Sequence, residues 1–154
     1  MAKKSAGLLL YRWRTEKLEL LLVHPGGPFW KNKDRHAWSI PKGELAQDEA
    51  PLDTARREFE EELGVFPEGD DFIDLGEIRQ KNGKRVFAWA LEGNLDPSAA
   101  KSNTFSMEWP PRSGKMQDFP EVDRAEWFSP DTARQKINER QIPLIDRLVE
   151  KLRR

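Results

Sequence analysis

The chain has 154 residues, of which 26 are basic and 27 are acidic, so its formal net charge is −1 at pH 7 with neutral histidines. A balance this close to neutral does not favour wholesale binding to nucleic acid or to an anionic membrane. The sequence contains no cysteine, which excludes disulfides, thiolate zinc sites and cysteine nucleophiles. The length suits one domain with a sizeable core, and we expect residues 1–154 to form a single domain.

The first half of the chain predicts three strands. Apolar runs at 6–13 and 18–24 are separated by polar residues, which indicates two strands joined by a turn. The Pro-Gly-Gly-Pro sequence at 25–28 ends the second strand. Trp38 to Ile40 is predicted to form a short third strand that leads into the loop at 41–43.

The second half predicts three more strands and two helices. The strands are 72–80, 85–91 and 124–128, and the helices are 131–138 and 143–152. A central Asn-Gly dipeptide, which is typical of hairpin turns, joins the first two of these strands. Strands flanked by helices in this order favour an α/β protein in which a mixed β-sheet lies between helices.

Residues 93–120 are rich in Pro, Ser, Asn and Gly and have little periodicity, so we predict a long loop there. Loops of this length are usually functional or disordered. Four large apolar residues interrupt the segment, namely Phe105, Met107, Trp109 and Phe119. We therefore favour a partly ordered lid or pocket wall over a free linker.

A helix is predicted from Pro51 to the glycine at position 64. Proline suits a first helical turn, Asp48 and Glu49 provide negative charge and capping groups near the start, and glycine is a common end. A core-facing stripe follows the 3.6-residue period and consists of Leu52, Ala55, Phe59 and Leu63.

Three glutamates of this helix, Glu58, Glu61 and Glu62, converge beside the apolar stripe, whereas Glu60 points to the other flank. A run of charges is usually a solvated face, but this acidic block lies at the helix C-terminal end, where the macrodipole disfavours it. Arg57 can pair with Glu61, and the other two glutamates have no basic partner within the helix. A divalent cation would relieve the repulsion, and oxygen ligands suit Mg²⁺ or Mn²⁺.

The spacing from Gly43 to Val65 resembles the complete signature of the Nudix hydrolase family, G-x5-E-x7-R-E-U-x-E-E-x-G-U, with U a bulky apolar residue. Glu49 fills the first glutamate position, which is usually structural in the family, and 57–65 fills the rest. The resemblance implies the αβα sandwich with a mixed β-sheet that is called the Nudix fold. It also implies an enzyme that hydrolyses acid anhydrides of phosphorus.

The resemblance implies a role for each matching residue. The divalent ions would be held by Glu58, Glu61 and Glu62, with the backbone carbonyl of Gly43 close to the metal. Arg57 would orient a catalytic glutamate through a salt bridge. One of these carboxylates, or one from a distant loop, would activate the attacking water. The implied catalytic residues are therefore Arg57, Glu58, Glu61 and Glu62.

Basic residues near the signature are candidate phosphate ligands. Lys42 directly precedes the signature glycine, and Arg85 belongs to a basic hairpin. The hairpin residues are Arg79, Lys81, Lys84 and Arg85. A solvated surface position is the alternative for each of them.

The resemblance to the Nudix family also implies that a glutamate in the loop before the last strand can supply an additional base or metal ligand. Glu121 is our candidate, and Glu108 and Asp118 compete with it. A plain surface acid is the alternative. The two histidines, His24 and His36, are expected to be structural, although a histidine can also act as a general acid or base.

The sequence has six tryptophans. Those in predicted strands, Trp13, Trp38, Trp89 and Trp127, are expected in the core. Trp30 and Trp109 lie in loops, where one of them could stack on a nucleobase.

Together these features predict a Mg²⁺-dependent pyrophosphohydrolase that cleaves a phosphoanhydride bond of a nucleoside diphosphate derivative, with nucleoside triphosphates or dinucleoside polyphosphates favoured. The alternatives are a nucleotide-sugar pyrophosphatase resembling those that act on ADP-ribose, and a non-catalytic nucleotide-binding module. An enzyme of the messenger-RNA decapping type would need a broad basic surface, which the near-neutral net charge does not favour.

The expected partner is therefore a small nucleotide, with no stable nucleic acid complex. No stretch approaches the roughly 20 apolar residues that cross a bilayer, so we expect no membrane association and a cytoplasmic protein. A monomer or a homodimer is compatible with the sequence.

Overall fold

A six-stranded mixed sheet forms the middle layer of the structure, which is a computed structural model that describes residues 3–153. The strands are β1 (Lys4–Arg14), β2 (Lys17–Pro25), β3 (Lys42–Glu44), β4 (Ile73–Arg79), β5 (Arg85–Glu92), β6 (Thr104–Glu108), β7 (Met116–Pro120) and β8 (Val122–Phe128). The helices are α1 (Pro51–Leu63), α2 (Pro130–Lys136) and α3 (Ile142–Leu152), with short 3-10 turns at Pro97–Ala99 and Glu139–Gln141.

Strand β1 is central to the sheet. The strand order is β4-β5-β1-β2-β8, and β3 pairs with β1 outside this path. β1 runs parallel to β5, from Lys4 opposite Arg85 to Tyr11 opposite Glu92, whereas the other neighbours in the sheet are antiparallel. A strand that is covered on both faces is apolar along its whole length, which explains the unbroken apolar run at 8–11.

Two separate apolar cores cover the two faces of the sheet. Side chains alternate between the faces of a strand, so Leu8 and Leu9 belong to different cores. The first core packs against α1 and includes Leu8, Leu10, Leu21, Val23, Ala55, Phe59 and Leu63. The second core packs against α2 and α3 and includes Leu9, Leu20, Leu22, Trp38, Ala133, Ile137, Leu144, Ile145 and Leu148. The predicted αβα sandwich with a mixed sheet is confirmed.

Helix α1 begins and ends where the sequence predicts. Pro51 is its first residue, and Gly64 ends it in the left-handed conformation at φ 76°, with its N–H donating to the carbonyl of Glu60. The predicted side-chain cap is wrong, because the N-cap residue is Ala50 and no side chain caps it. The carboxylate of Glu49 accepts hydrogen bonds from the backbone of Ala46 and from other side chains instead.

The predicted strand at Trp38–Ile40 is wrong. This segment makes only isolated bridges, Ser39 with Val23 and Trp38 with Ile137. The third strand is β3, which pairs antiparallel with the start of β1. Its sequence, Lys-Gly-Glu, has no apolar alternation, so the pattern that identifies strands is absent there.

The segment 93–120 is more ordered than predicted. It contains the 3-10 turn at Pro97–Ala99 and the two-stranded hairpin β6–β7, in which Thr104 lies opposite Pro120 and Glu108 opposite Met116. The hairpin is largely exposed, with Phe105 and Phe119 packed at a ring-centroid distance of 6.0 Å. In β6, Phe105 and Met107 alternate with polar residues and are partly buried, whereas β7 has no such alternation.

The tryptophans divide differently from the prediction. Trp38 is buried in the second core, and Trp89 and Trp127 are partly buried against the first. The prediction was wrong for Trp13, which is 49% exposed. Trp13 lies near the end of β1, next to the turn into β2, where its partner in the ladder is Leu18.

Candidate active site

The glutamates of the signature lie on the last two turns of α1 and differ in exposure. The side chain of Glu58 is 14% exposed and that of Glu61 is 35% exposed, whereas Glu62 is buried. Glu60 is exposed on the other flank, as predicted. The helix therefore places three carboxylates along one edge, at graded depths.

Strand β3 meets this edge at two points. The backbone N–H of Lys42 donates to Oε2 of Glu62 at 3.0 Å. At Gly43 an added Cβ would lie 2.0 Å from Cδ of Glu58, so the carboxyl group of Glu58 occupies the space that any other side chain would take. The glycine of the signature is thus required at this position by the close approach of Glu58 to the backbone.

Arg57 organises the carboxylates around it. Its Nε and Nη2 donate to the two oxygens of Glu49 at 2.9 Å each, and its Nη1 donates to Glu58 at 3.0 Å and to Glu61 at 3.1 Å. The predicted pair with Glu61 is confirmed. The prediction that Glu58 has no basic partner within the helix was wrong, because the long guanidinium reaches its neighbour in sequence as well as the next turn.

Glu49 and Glu62 lie in different charge environments. The hydrogen bonds from Arg57 and from the hydroxyl of Thr54 lower the pKa of Glu49 to about 2. Burial, aided by the nearby charge of Glu58, raises the pKa of Glu62 to about 9. The pKa of Glu58 is also raised, first by burial and then by Glu61. Glu49 is therefore a fixed counterion for the arginine, and the inner glutamates repel one another.

The donor set fits a hard divalent cation. All of the clustered side chains offer carboxylate oxygens, and a cation would offset the burial and the mutual repulsion that raise the pKa values of Glu58 and Glu62. Within residues 3–153, no three acidic or histidine side chains enclose a metal position in the present conformation. Arg57 holds Glu58 and Glu61, so these carboxylates would have to rotate towards an ion.

Glu121 lies next to this cluster. Its backbone N–H donates to the carbonyl of Asn103, and its carbonyl accepts from the N–H of Gly26, which fixes the loop before β8. Burial raises the pKa of Glu121, and the charge of Glu61 raises it further, so its carboxylate faces the same negative field. The competing candidates lie in the exposed hairpin: Glu108 accepts from the backbone of Arg112, and Asp118 accepts from Ser106.

A cavity of about 250 Å³, which we call the Lys42 cavity, opens beside the carboxylates. Lys42, Glu62, Glu121 and Trp30 all line it. Burial lowers the pKa of Lys42, and the neighbouring charge of Lys84 adds to this effect. The cavity therefore joins carboxylates, a poorly hydrated ammonium group and an aromatic ring.

Arg85 and Trp109, the other two residues predicted to bind substrate, do not line this cavity. Arg85 pairs with Glu77 at 2.6 Å on the β4–β5 hairpin. Trp109 lies at the end of β6, where its N–H donates to the carbonyl of Lys115 and its carbonyl accepts from Gln117. The hairpin residue whose charge reaches Lys42 is Lys84, which also bonds to Glu44 at 3.0 Å.

Sequence reasoning missed the polar wall of the Lys42 cavity. This wall consists of Ser39, Gln80, Asn138 and Gln141. The four residues come from three distant segments and form no motif, so no pattern in the sequence marked them.

The histidines serve the fold. His24 is fully buried, with Nδ1 2.8 Å from Asp123 and Nε2 2.6 Å from the carbonyl of Lys33. His36 bonds through Nδ1 to the carbonyl of Ile137 at 2.8 Å. Because these ring nitrogens are engaged by the protein, the structural interpretation of both residues is favoured.

The protein is an αβα sandwich with a mixed sheet. Glutamate side chains lie along one edge of α1, and one of them lies against the backbone of the signature glycine. This arrangement suits a divalent ion and an anionic substrate. The model of the NUDIX domain matches residues 1–148. The chain therefore belongs to the Nudix family, and it is a hydrolase that acts on phosphoanhydrides. Enzymes of this family generally use a divalent metal such as Mg²⁺.

Individual proteins resemble the chain over most of its length. The RNA pyrophosphohydrolase of Bartonella henselae is 26% identical over 151 residues, which cover 84% of this chain and 78% of that protein. The NUDIX domain of Shewanella oneidensis NrtR, solved with ADP ribose, has a TM-score of 0.69 at 17% identity and covers 99% of this chain and 90% of that one. An Ap4A hydrolase of C. elegans has a TM-score of 0.63 at 21% identity, with 99% and 100% covered.

These similarities confirm the fold and the family of the predicted enzyme. The roles of the individual site residues stay predictions, as does the nature of the nucleotide. Within the described part of the chain, no helix is long and apolar enough to span a membrane.

Proposed function

We propose that this protein is a Mg²⁺-dependent pyrophosphohydrolase of nucleoside triphosphates or dinucleoside polyphosphates. The observation that carries the proposal is the Lys42 cavity, because two acidic residues, Glu62 and Glu121, and the basic residue Lys42 line one space. A polyphosphate needs both signs of charge: carboxylates to hold its metal ion, and a cation to bind its non-bridging oxygens.

Three glutamates form the proposed metal site. Glu58, Glu61 and Glu62 are the groups that would hold the ion, close to the backbone of Gly43. A bound divalent ion would neutralise the charge of adjacent phosphates and lower the pKa of a bound water.

The remaining groups would orient the glutamates, activate the attacking water or bind the substrate. Arg57, anchored on Glu49, holds Glu58 and Glu61 in place between turnovers. Glu121 is the proposed base or additional ligand, since its raised pKa gives it affinity for a proton nearer neutral pH. Lys42 would bind an oxygen of the phosphate chain.

The longer phosphate chain is favoured by a second cavity. It has a volume of about 390 Å³ and lies beside β8, where it is lined by Pro97, Ser98 and Arg124. Glu62 and Val122 border both cavities. A substrate with two ends, such as a dinucleoside polyphosphate, would place its phosphates at Glu62 and one end in each cavity.

A second candidate substrate is the 5′-triphosphate end of RNA, which the similarity to an RNA pyrophosphohydrolase favours. It presents the same triphosphate group to Lys42 and the carboxylates. Nucleotide sugars of the ADP-ribose type remain the alternative with a shorter phosphate chain.

The test is a panel of substrates incubated with the protein and Mg²⁺, with every product identified by mass. The panel contains a nucleoside triphosphate, a dinucleoside tetraphosphate, ADP-ribose and a 5′-triphosphorylated RNA oligonucleotide. We expect the first two to be cleaved most efficiently. Efficient cleavage of ADP-ribose alone, or of RNA alone, would replace the proposal with that alternative.

A matched pair of variants ties the activity to the site. Glu62→Gln should lose the activity, whereas Glu60→Gln, on the exposed flank of the same helix, should retain it. Activity in both variants would assign the hydrolysis to another site or to a contaminant, and activity in neither would indicate that charge on α1 acts through the fold.

A further inference from the structure

One wall of the Lys42 cavity is made of amide side chains that the proposed hydrolysis does not use. Gln141 is buried, whereas Gln80 and Asn138 are partly exposed and border the cavity. Amide groups have distinct donor and acceptor ends, so their protein partners fix which end is left for a ligand.

The orientation of the Gln80 amide is set by the backbone N–H of Ile40, through the side chain of Gln141. The N–H of Ile40 donates to Oε1 of Gln141 at 3.0 Å, and a backbone N–H can only donate. The Nε2 of Gln141 must therefore face acceptors, which are the hydroxyl of Ser39 at 3.0 Å and Oε1 of Gln80 at 3.2 Å. The oxygen of Gln80 is thus used, and among residues 3–153 its Nε2 has no hydrogen-bond partner.

The orientation of Asn138 is fixed by a cap. Its Oδ1 accepts from the backbone N–H of Arg140 at 2.9 Å and so begins the 3-10 turn at Glu139–Gln141. Its own backbone N–H donates to the carbonyl of Trp38 at 2.7 Å, which holds the residue at the cavity wall. Within the described range its Nδ2 also lacks a partner, so the wall presents two free amide NH₂ groups.

We propose that Gln80 and Asn138 select guanine over adenine as the base of the substrate. One edge of guanine carries two neighbouring acceptors, O6 and N7, whereas the same edge of adenine carries the N7 acceptor beside an amino donor. Two amide donors match guanine, and adenine would leave a donor facing a donor. Trp30, which lines the same cavity, provides an aromatic face on which the base can stack. The inference rests on the proposed action on nucleotides and adds the base.

Two isosteric substitutions test the donors without removing their structural bonds. Gln80→Glu keeps an oxygen for Nε2 of Gln141 and replaces the free donor with an acceptor. Asn138→Asp keeps the oxygen that caps Arg140 and makes the same exchange. The matched control is Gln117→Glu, an equal change of charge in the exposed β6–β7 hairpin, where Gln117 bonds to the carbonyl of Trp109.

The measured quantity is the ratio of kcat/KM for the guanine form to that for the adenine form of one nucleotide, at a fixed phosphate chain. The wild-type protein should prefer guanine by about tenfold or more, and each cavity variant should lower the ratio by about tenfold. Gln117→Glu should leave the ratio unchanged. Equal rates in the wild type, a preference for adenine, or a ratio that survives both cavity substitutions would overturn the proposal.

A binding measurement tests the proposed base selection separately from the proposed hydrolysis. Calorimetric titration of the metal-free protein with guanosine and adenosine diphosphates measures base selection without turnover. If no nucleotide is hydrolysed but guanosine diphosphate binds about tenfold more tightly, and Gln80→Glu removes the difference, the base selection holds and the proposed reaction fails. Equal binding of the two, or binding of neither, would overturn the base selection itself.

Discussion

The backbone N–H of Lys42 donates to the side-chain carboxyl group of Glu62, so strand β3 and the last turn of α1 meet at an ionisable group inside the protein. This single hydrogen bond does not offset the burial of Glu62, whose pKa is raised to about 9. The fold therefore holds a carboxyl group in a place where its ionised form is disfavoured. Such a position is expected where a ligand supplies the missing charge.

The first prediction concerns stability. Glu62→Gln should raise the free energy of unfolding of the metal-free protein at pH 8 by about 1.4 kcal/mol or more, the equivalent of one pKa unit. The folded pKa of Glu62 lies above its ordinary value of 4.5, so between these values the folded state binds more protons than the unfolded state. The stability of the wild-type protein then falls as the pH rises through this window, and glutamine has no such loss.

Urea unfolding in the presence of a chelator at pH 5 and at pH 8 measures this effect. The gain from Glu62→Gln should be small at pH 5 and should widen at pH 8. Glu60→Gln, an exposed change on the same helix, should stay within about 0.5 kcal/mol of the wild type at both values. A gain that is independent of pH would contradict the raised pKa of Glu62.

The second prediction is the opposite effect of the same substitution on catalysis. Glu62→Gln should lower kcat by about a hundredfold or more, because an uncharged ligand holds a hard divalent ion poorly. Calorimetric titration with MgCl₂ should show weaker binding than in Glu60→Gln. Wild-type rates in Glu62→Gln would remove this residue from the metal site.

The part of the site that could be predicted from the sequence lies on one helix. Arg57, Glu58, Glu61 and Glu62 are close together in the chain, so helical periodicity alone places them on one edge. Gly43 was identified through the family signature, and only the structure gives its physical reason, which is the contact with Glu58.

The rest depends on contacts between distant segments. Lys84 reaches the site because β5 lies parallel to β1 and brings the β4–β5 hairpin next to β3, a pairing that no local pattern specifies. The β6–β7 hairpin was not predicted. Phe105 and Met107 alternate with polar residues in β6, but β7 has no such alternation, and the segment around both strands is rich in Pro, Ser and Gly. Propensity and periodicity report burial, and these elements are held mainly by backbone hydrogen bonds.

The third prediction concerns the basic hairpin. Lys42 and Glu44 are two residues apart in β3, so their side chains lie on one face of the strand, and Lys84 joins them through its bond to Glu44. A polyphosphate can compete with Glu44 for Lys84. Lys84→Met should therefore raise KM for a nucleoside triphosphate by about tenfold, with less effect on a diphosphate.

Steady-state kinetics at several salt concentrations check this. Lys81→Met is the matched control, because Lys81 is exposed in the same hairpin. Lys84→Arg should restore most of the affinity, since it keeps the charge. Equal effects of Lys81→Met and Lys84→Met would mean that the hairpin acts only through its overall charge.

The last prediction separates two aromatic residues that the sequence could not distinguish. Trp30 lines the Lys42 cavity with its ring 5.1 Å from that of Phe29, whereas Trp109 is held by main-chain bonds at the end of β6. Trp30→Ala should raise KM by about tenfold, the lower range for loss of a stacked base, and Trp109→Ala should have little effect. Kinetic constants measured on one nucleotide for both variants decide between them. If Trp109→Ala weakens binding as much as Trp30→Ala while leaving the melting temperature unchanged, the β6–β7 hairpin closes over the substrate as a lid.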